Sequence, residues 1–237
     1  MSLEENLARV QERIAAACGR AGRDPATVTL LAVSKNHPAA TVSEAVSLGI
    51  SLFGENRIQE ARVKIPASSG RARWHFIGHL QSNKAREAVG LFEMIESLDS
   101  LGLAGELQKQ AEKQARTIRV LAEINVAGES SKFGWNPSRF LEELAALNAF
   151  PRLELNGLMT VAPYSTHPER ARPVFRRLRE LRDEASARLG GPLPVLSMGM
   201  SGDLEVAIEE GATLVRVGTA LFGARPRSPG TGGADAD

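Results

Sequence analysis

The sequence predicts an α/β protein, a single (β/α)8 TIM barrel with an extra N-terminal helix. Three observations point there. Strand-like apolar runs alternate with helical segments along the chain. Eight such runs can be counted. The 237 residues are long for one ordinary domain but normal for one barrel. Alternation of this kind means parallel pairing through helical crossovers. A doubly wound open sheet is the competing topology, and the absence of Gly-x-Gly-x-x-Gly after the first strand weakens it.

The elements follow in order. Ser2 and Glu5 supply a capping box, and Leu3, Leu7, Val10, Ile14 and Cys18 step by three or four along one helix face. On that face Cys18 reads as a small apolar residue rather than a nucleophile. The strand-like runs are residues 27–34, 51–53, 74–77, 93–98, 119–126, 153–161, 193–198 and 213–217. Asn136 and Pro137 start a helix as N-cap and N1, carrying Phe140, Leu141, Leu144 and Leu147. A second helix spans about 168–189 and stops at Gly190-Gly191. A third spans 203–210 and stops at Gly211. The barrel takes residues 1–225, and the Pro/Gly-rich polar residues 226–237 are expected to form a disordered tail.

Composition narrows the function classes. At 43% hydrophobic residues the chain can bury a large core. A net charge of +1 gives no global pull towards nucleic acid or an anionic membrane. The acidic, amphipathic start is neither a signal nor a transit peptide, and no apolar stretch is long enough to span a bilayer. A single cysteine excludes an internal disulfide and a Cys-rich metal site. These features point to a soluble protein of the reducing cytoplasm. The four histidines show no metal-ligand spacing with carboxylates. The Arg-rich run 169–188 is interleaved with acids and reads as a solvated helix face.

Active sites of barrels form at the C-terminal strand ends. The first end is Ser34-Lys35-Asn36, the second Gly54-Glu55-Asn56, and the third Gly78-His79-Leu80-Gln81. The seventh and eighth are "SMGMSGD" and "VRVGTALFG". Ser201 and Gly202 precede a helix and can present N–H groups to an anion. Gly218 and Thr219 offer the same plus a hydroxyl. Either loop alone reads as a tight turn, but together, after strands seven and eight, they read as a phosphate site.

Lys35 shares strand parity with Leu31 and Val33, so an inward face would put its amine at the barrel mouth. Strand eight of a closed barrel lies beside strand one, which brings the amine near the phosphate loops. An amine beside a bound phosphate suits pyridoxal phosphate held as a Schiff base. The alternative is a lysine snorkelling from a strand end. The chain has 6 lysines against 23 arginines, so a lysine here hints at a need for an amine. Arg216, between Val215 and Val217, would face the interior. It has two readings: contact with a pyridine nitrogen, which would stay unprotonated, or an ion pair with a strand carboxylate such as Glu123.

The segments "LLAVSK", "FGENRIQEA", "WHFIGHLQSNK", "NVAGESSKFG", "GLMTV" and "SMGMSGDLEVAIEEGATLVRVGTALFG" resemble the pyridoxal phosphate homeostasis proteins. The likeness runs from about Val28 to Arg225. It implies a barrel like the N-terminal domain of bacterial alanine racemase. It implies pyridoxal 5′-phosphate bound as a Schiff base to Lys35, with cofactor contacts from Asn56, Ser201, Gly202, Arg216, Gly218 and Thr219. It implies a carrier and buffer of the cofactor for vitamin B6 balance, not an enzyme. Partners would be the cofactor and apo-enzymes that need it, with no nucleic acid and no membrane, and the protein would be a monomer. Two positions depart from the family's pattern: Arg57 stands where many relatives have Tyr, and His79 where many have Pro. They bear on the rim of the site only.

Two other functions compete. An amino-acid racemase of the alanine racemase type needs a second base, supplied in those enzymes by a tyrosine from an added domain. The only tyrosine here is Tyr164, just after strand six, and an open mouth suits cofactor exchange better than protected carbanion chemistry. A cofactor-free Schiff-base aldolase explains the lysine but not two anion loops beside Arg216, unless its substrate is phosphorylated.

Overall fold

The computed structural model describes residues 1–68 and 70–223. Residues 224–225, and the expected tail at 226–237, lie outside the described residues. Helix α1 (Leu3–Arg20) opens the chain. Ser2 Oγ accepts from the Glu5 N–H at 3.1 Å, and Glu5 Oε2 accepts from the Ser2 N–H at 2.8 Å. Such a cap is worth about 1 kcal/mol. Leu3, Leu7, Val10, Ile14 and Cys18 are all buried on the inner face of α1.

Strands and helices then alternate: β1 (Thr29–Val33), α2 (Ala39–Ser47), β2 (Leu52–Glu55), α3 (Ile58–Ala67), β3 (Arg73–Phe76), α4 (Ala85–Leu91), β4 (Met94–Leu98) and α5 (Leu101–Lys113). The second half continues with β5 (Ile118–Glu123), α6 (Pro137–Asn148), β6 (Leu153–Met159), α7 (Arg172–Leu189), β7 (Val195–Ser197), α8 (Leu204–Glu209), β8 (Leu214–Val217) and α9 (Thr219–Phe222). The eight strands are parallel, follow sequence order and close with β8 against β1. The barrel and the extra N-terminal helix are as the sequence predicts.

The differences lie at the boundaries. The first strand starts later than expected, because Asp24 caps a short 3-10 turn over Pro25–Thr27. The second extends two residues further, to Glu55. The fifth stops at Glu123, where Asn125 folds its side chain onto the carbonyls of Glu129 and Lys132 and turns the chain. The long helix begins as a 3-10 turn over Pro168–Ala171 and ends at Gly190, whose φ of 67° needs glycine. Gly218-Thr219, expected as an anion-binding loop, opens the one-turn helix α9.

Strand alternation sorts the side chains into two layers. Ala32, Phe53, Trp74, Phe76, Val120, Leu158, Leu196, Val215 and Val217 point outwards into the layer shared with the helices. Leu31, Val33, Leu52 and Leu214 fill one part of the barrel interior, with Ile77 and Val195 against them. Met94, Leu121 and Met159 fill another. Between these apolar groups the interior holds a set of charged residues, and they lead towards the mouth.

Candidate functional site

Lys35 follows β1 with the parity of Leu31 and Val33, both interior residues, so the predicted inward face of the first strand is borne out. The closing registers pair Leu31 with Arg216 and Ala32 with Val217. Two residues further on, the chain end of β1 therefore meets the start of α9. Val33, Lys35, His37, Gly218, Thr219 and Gly223 line one small cleft there. Lys35 is half-buried, and His37 is buried, with its ring centroid 5.1 Å from that of Phe222 on α9. A Cβ added at Gly218 would make ordinary contact with Val33, 3.4 Å from its carbonyl oxygen. The α9 loop thus lies directly against β1.

The loop after β7 joins the same end. Ser201 Oγ accepts from the Ala220 N–H at 3.2 Å, which ties it to the first turn of α9. Ser201 and Gly202 stand just before α8, and Gly218 and Thr219 open α9, so both pairs sit where backbone N–H groups point out of a helix start. None of these four residues is buried, so water can reach their N–H groups, and N–H groups gathered at two loop-to-helix turns on one barrel mouth suit an anion. Asp203 shapes the turn by accepting from the Met200 N–H at 2.6 Å.

Arg216 is buried inside the barrel, as its parity predicts. Its Nη1 donates to Ser197 Oγ at 2.6 Å and its Nη2 to the Thr160 carbonyl at 2.8 Å. Among the described residues no ion pair joins it to Glu123, so that half of the sequence expectation is not met. The nearer carboxylate is Glu96, which receives Ser197 Oγ at 2.5 Å. Glu96 also bonds His75 Nδ1 at 2.7 Å. The chain Arg216–Ser197–Glu96–His75 thus balances a buried cation within bonding distance of its partners. Burial draws Arg216 below its ordinary pKa, opposed by Glu96, Asp203 and Glu123. Burial would lower His75 too, but its bonds to Glu93 and Glu96 prevail and raise it. Burial, and then repulsion from Asp99, push the Glu123 carboxyl up to about 7.

Asn56 is not part of the Lys35 cleft. It lines a neighbouring larger cleft of about 500 Å³, with Arg57, Phe76, His79 and Lys84 among its walls. Its Oδ1 is buried and unpaired among the described residues. His79, read from the sequence as a rim residue, stacks on Phe133 at 3.5 Å between ring centroids. It also lies 3.3 Å from Asp99 Oδ2.

Two groups escaped the sequence reading. His37 stands two residues beyond Lys35, and strand parity continued past the strand end would have placed it at the cleft. His75 and Glu96 sit on adjacent strands whose register pairs His75 with Met94. Parity applied to every strand, and not only to the first and eighth, would have put both inside.

Comparison with known proteins bears on this site. Residues 4–226 match the family model described as the alanine racemase N-terminal domain. A protein of Aquifex aeolicus named pyridoxal phosphate homeostasis protein is 47% identical over 95% of this chain and 99% of its own. One of the same name from Pseudomonas aeruginosa is 46% identical over 94% and 96%. The solved structure of PipY from Synechococcus elongatus with PLP bound is 37% identical, with a TM-score of 0.83, covering 94% of this chain and 100% of that one. An alanine racemase of Clostridium difficile shares the fold at a TM-score of 0.76 and 14% identity, and this chain spans 57% of it.

Proposed function

The chain belongs to the pyridoxal phosphate homeostasis proteins, within the alanine racemase N-terminal domain family, and from that premise we propose that it carries and buffers pyridoxal 5′-phosphate without catalytic turnover. The observation that carries this reading is the cleft where Lys35 meets Gly218 and Thr219 across the β1–β8 closure. Pyridoxal phosphate supplies an aldehyde that condenses reversibly with an amine, and a phosphate that seeks N–H donors. The residues present fit that pair of demands.

Each residue then has a role. Lys35 holds the aldehyde carbon as a Schiff base through Nζ. Ser201, Gly202, Gly218 and Thr219 hold the phosphate with N–H groups at the turns into α8 and α9. Arg216 would lie towards the pyridine nitrogen of the cofactor. Two of its five N–H groups are used by Ser197 and Thr160, and its proton cannot be given up, so it leaves the ring a poor electron sink. That suits storage better than carbanion chemistry. Asn56, expected among the cofactor contacts, lines the adjacent larger cleft instead. The protein would act as a monomer in the cytoplasm and pass the cofactor to apo-enzymes.

The racemase reading finds less support. Tyr164, the only tyrosine, is 81% exposed in the loop after β6. The alanine racemase likeness, at 14% identity, bears on the fold alone. One experiment separates the readings. Purified protein mixed with pyridoxal phosphate is expected to gain a yellow absorption band that borohydride fixes to Lys35 and that Lys35→Ala abolishes. L-Alanine added to the loaded protein should leave optical rotation constant. A protein that never takes up the cofactor would sink the carrier reading, and a drifting rotation would turn it into the racemase.

A further inference from the structure

Lys64 lies on α3, outside the barrel, yet its side chain is only 6% exposed. Its ammonium makes three bonds, each 2.7 Å long, to the Ser34 carbonyl, Glu55 Oε1 and Glu60 Oε2. An ammonium has three donors and all three are used. The same two carboxylates reach back to the strand end. Glu55 Oε1 accepts from Ser34 Oγ at 2.6 Å, and Glu60 Oε2 accepts from the Asn36 N–H at 2.8 Å. Ser34 C=O belongs to the peptide unit before Lys35, and Asn36 N–H to the one after it. One ion cluster therefore grips both peptide planes that flank the candidate anchor lysine.

The grip has something to oppose. Asn36 has a φ of 64°, a left-handed conformation that asparagine adopts more readily than most residues but that still costs energy and persists where its surroundings hold it. The turn comes where the chain leaves β1 on its way to α2. The cluster is also buried at some expense: Glu55 Oε2 is unpaired among the described residues, and burial raises the Glu55 carboxyl. A chain that usually writes Arg uses Lys here, where three acceptors converge on a point that a planar guanidinium cannot match.

We propose that Lys64, with Glu55 and Glu60, is a positioning residue that sets the orientation of Lys35 at the cleft by fixing the peptide units on either side of it. This rests on the reading of Lys35 as the cofactor anchor, but the clamp can be tested without the cofactor. The variants are Lys64→Met combined with Glu55→Gln, which removes the buried pair together, and Glu60→Ala, at the solvent edge, which keeps the buried pair. Glu210→Gln is the control. It breaks a comparable cluster with Arg172, Arg176 and Arg179, far along the chain from Lys35.

Three quantities are read: melting temperature, hydrogen exchange at the Asn36 amide, and the rate and visible circular dichroism of pyridoxal phosphate capture. In the clamp variants Asn36 exchange should quicken, and capture at Lys35 should slow by about tenfold or more with a weakened dichroic band, because misplacing a reacting group is costly. The control should lower the melting temperature and leave the other two unchanged. Clamp variants that lose stability but keep Asn36 protection and normal capture would reduce Lys64 to a structural ion pair. If the wild type itself captures no cofactor, the carrier reading fails, and Asn36 exchange alone decides whether the clamp stands.

Discussion

Glu123 shows what a single buried carboxyl does to the stability of this barrel. It sits on the inner face of β5, and burial followed by repulsion from Asp99 raises its pKa from 4.5 to about 7. A raised carboxyl binds its proton more tightly in the folded state than in the unfolded one. Folding is therefore unaffected by Glu123 below about pH 4.5, loses stability as pH climbs from there to about 7, and stays penalised above. Glu123→Gln removes the titration. Its melting temperature should match wild type near pH 4.5 and exceed it at pH 8, with the gap opening between those values. A gap independent of pH would mean that the shift is not real. This behaviour was not legible in the sequence, where Glu123 offered itself as an ion-pair partner for Arg216. Parity gave the correct face to both residues, but the choice of partner depends on side-chain reach. Ser197 and Thr160 take the guanidinium first. Lys64 was hidden for a similar reason: Glu60 and Lys64, four apart, look like any solvated helix pair.

At the scale of elements, the strands were the legible part, because an apolar run between turn residues needs no knowledge of its neighbours. The helices on the barrel surface were harder. The sequence reading singled out the capped and Gly-terminated ones, while α2, α3, α4 and α5 passed unnamed. Of these, α3 carries Pro66 within it and buries a lysine on its inner face, which blurs the apolar stripe. The fit between strands depends on features that periodicity does not show. Gly157 on β6 faces β7 so closely that an added Cβ would lie 1.9 Å from the Val195 carbonyl oxygen, a contact only backbone movement can relieve. It stands where the β5–β6 register shifts, between Val120 and Leu121. Gly157→Ala must part β6 from β7, whose end supplies Ser197 to Arg216. The expected cost is roughly 3 kcal/mol or more, at the upper end for overpacking. A urea melt measures it, and a loss under 1 kcal/mol would show that the strands can slide apart without harm.

For the whole molecule, the extra helix is what the sequence placed but could not connect. The capping box and stripe predicted α1; nothing in them said what the helix supports. It packs on α8 and α9, the two helices that follow the candidate phosphate loops. Arg13 pairs with Glu205 through two bonds of 2.6 and 2.9 Å and donates to the Ser201 carbonyl at 2.9 Å. Asn6 Nδ2 donates to the Leu221 carbonyl at 2.9 Å. Residues near the start of the chain thus hold the loop after β7 and helix α9 from behind, across 188 and 215 positions of sequence. A part-exposed ion pair contributes little to global stability, under about 1 kcal/mol. Its effect on the position of a loop can be larger. Arg13→Ala is therefore expected to melt close to wild type yet release pyridoxal phosphate roughly tenfold faster, a coupling of ordinary size between a supporting residue and a site. Arg20→Ala is the matched control, since Arg20 pairs with Glu209 on the same two helices but touches neither loop. Dilution of the loaded proteins, followed by the decay of the visible band, gives both rates. Equal rates in the two variants would mean that α1 only covers the core, and that the phosphate loops hold their shape without it.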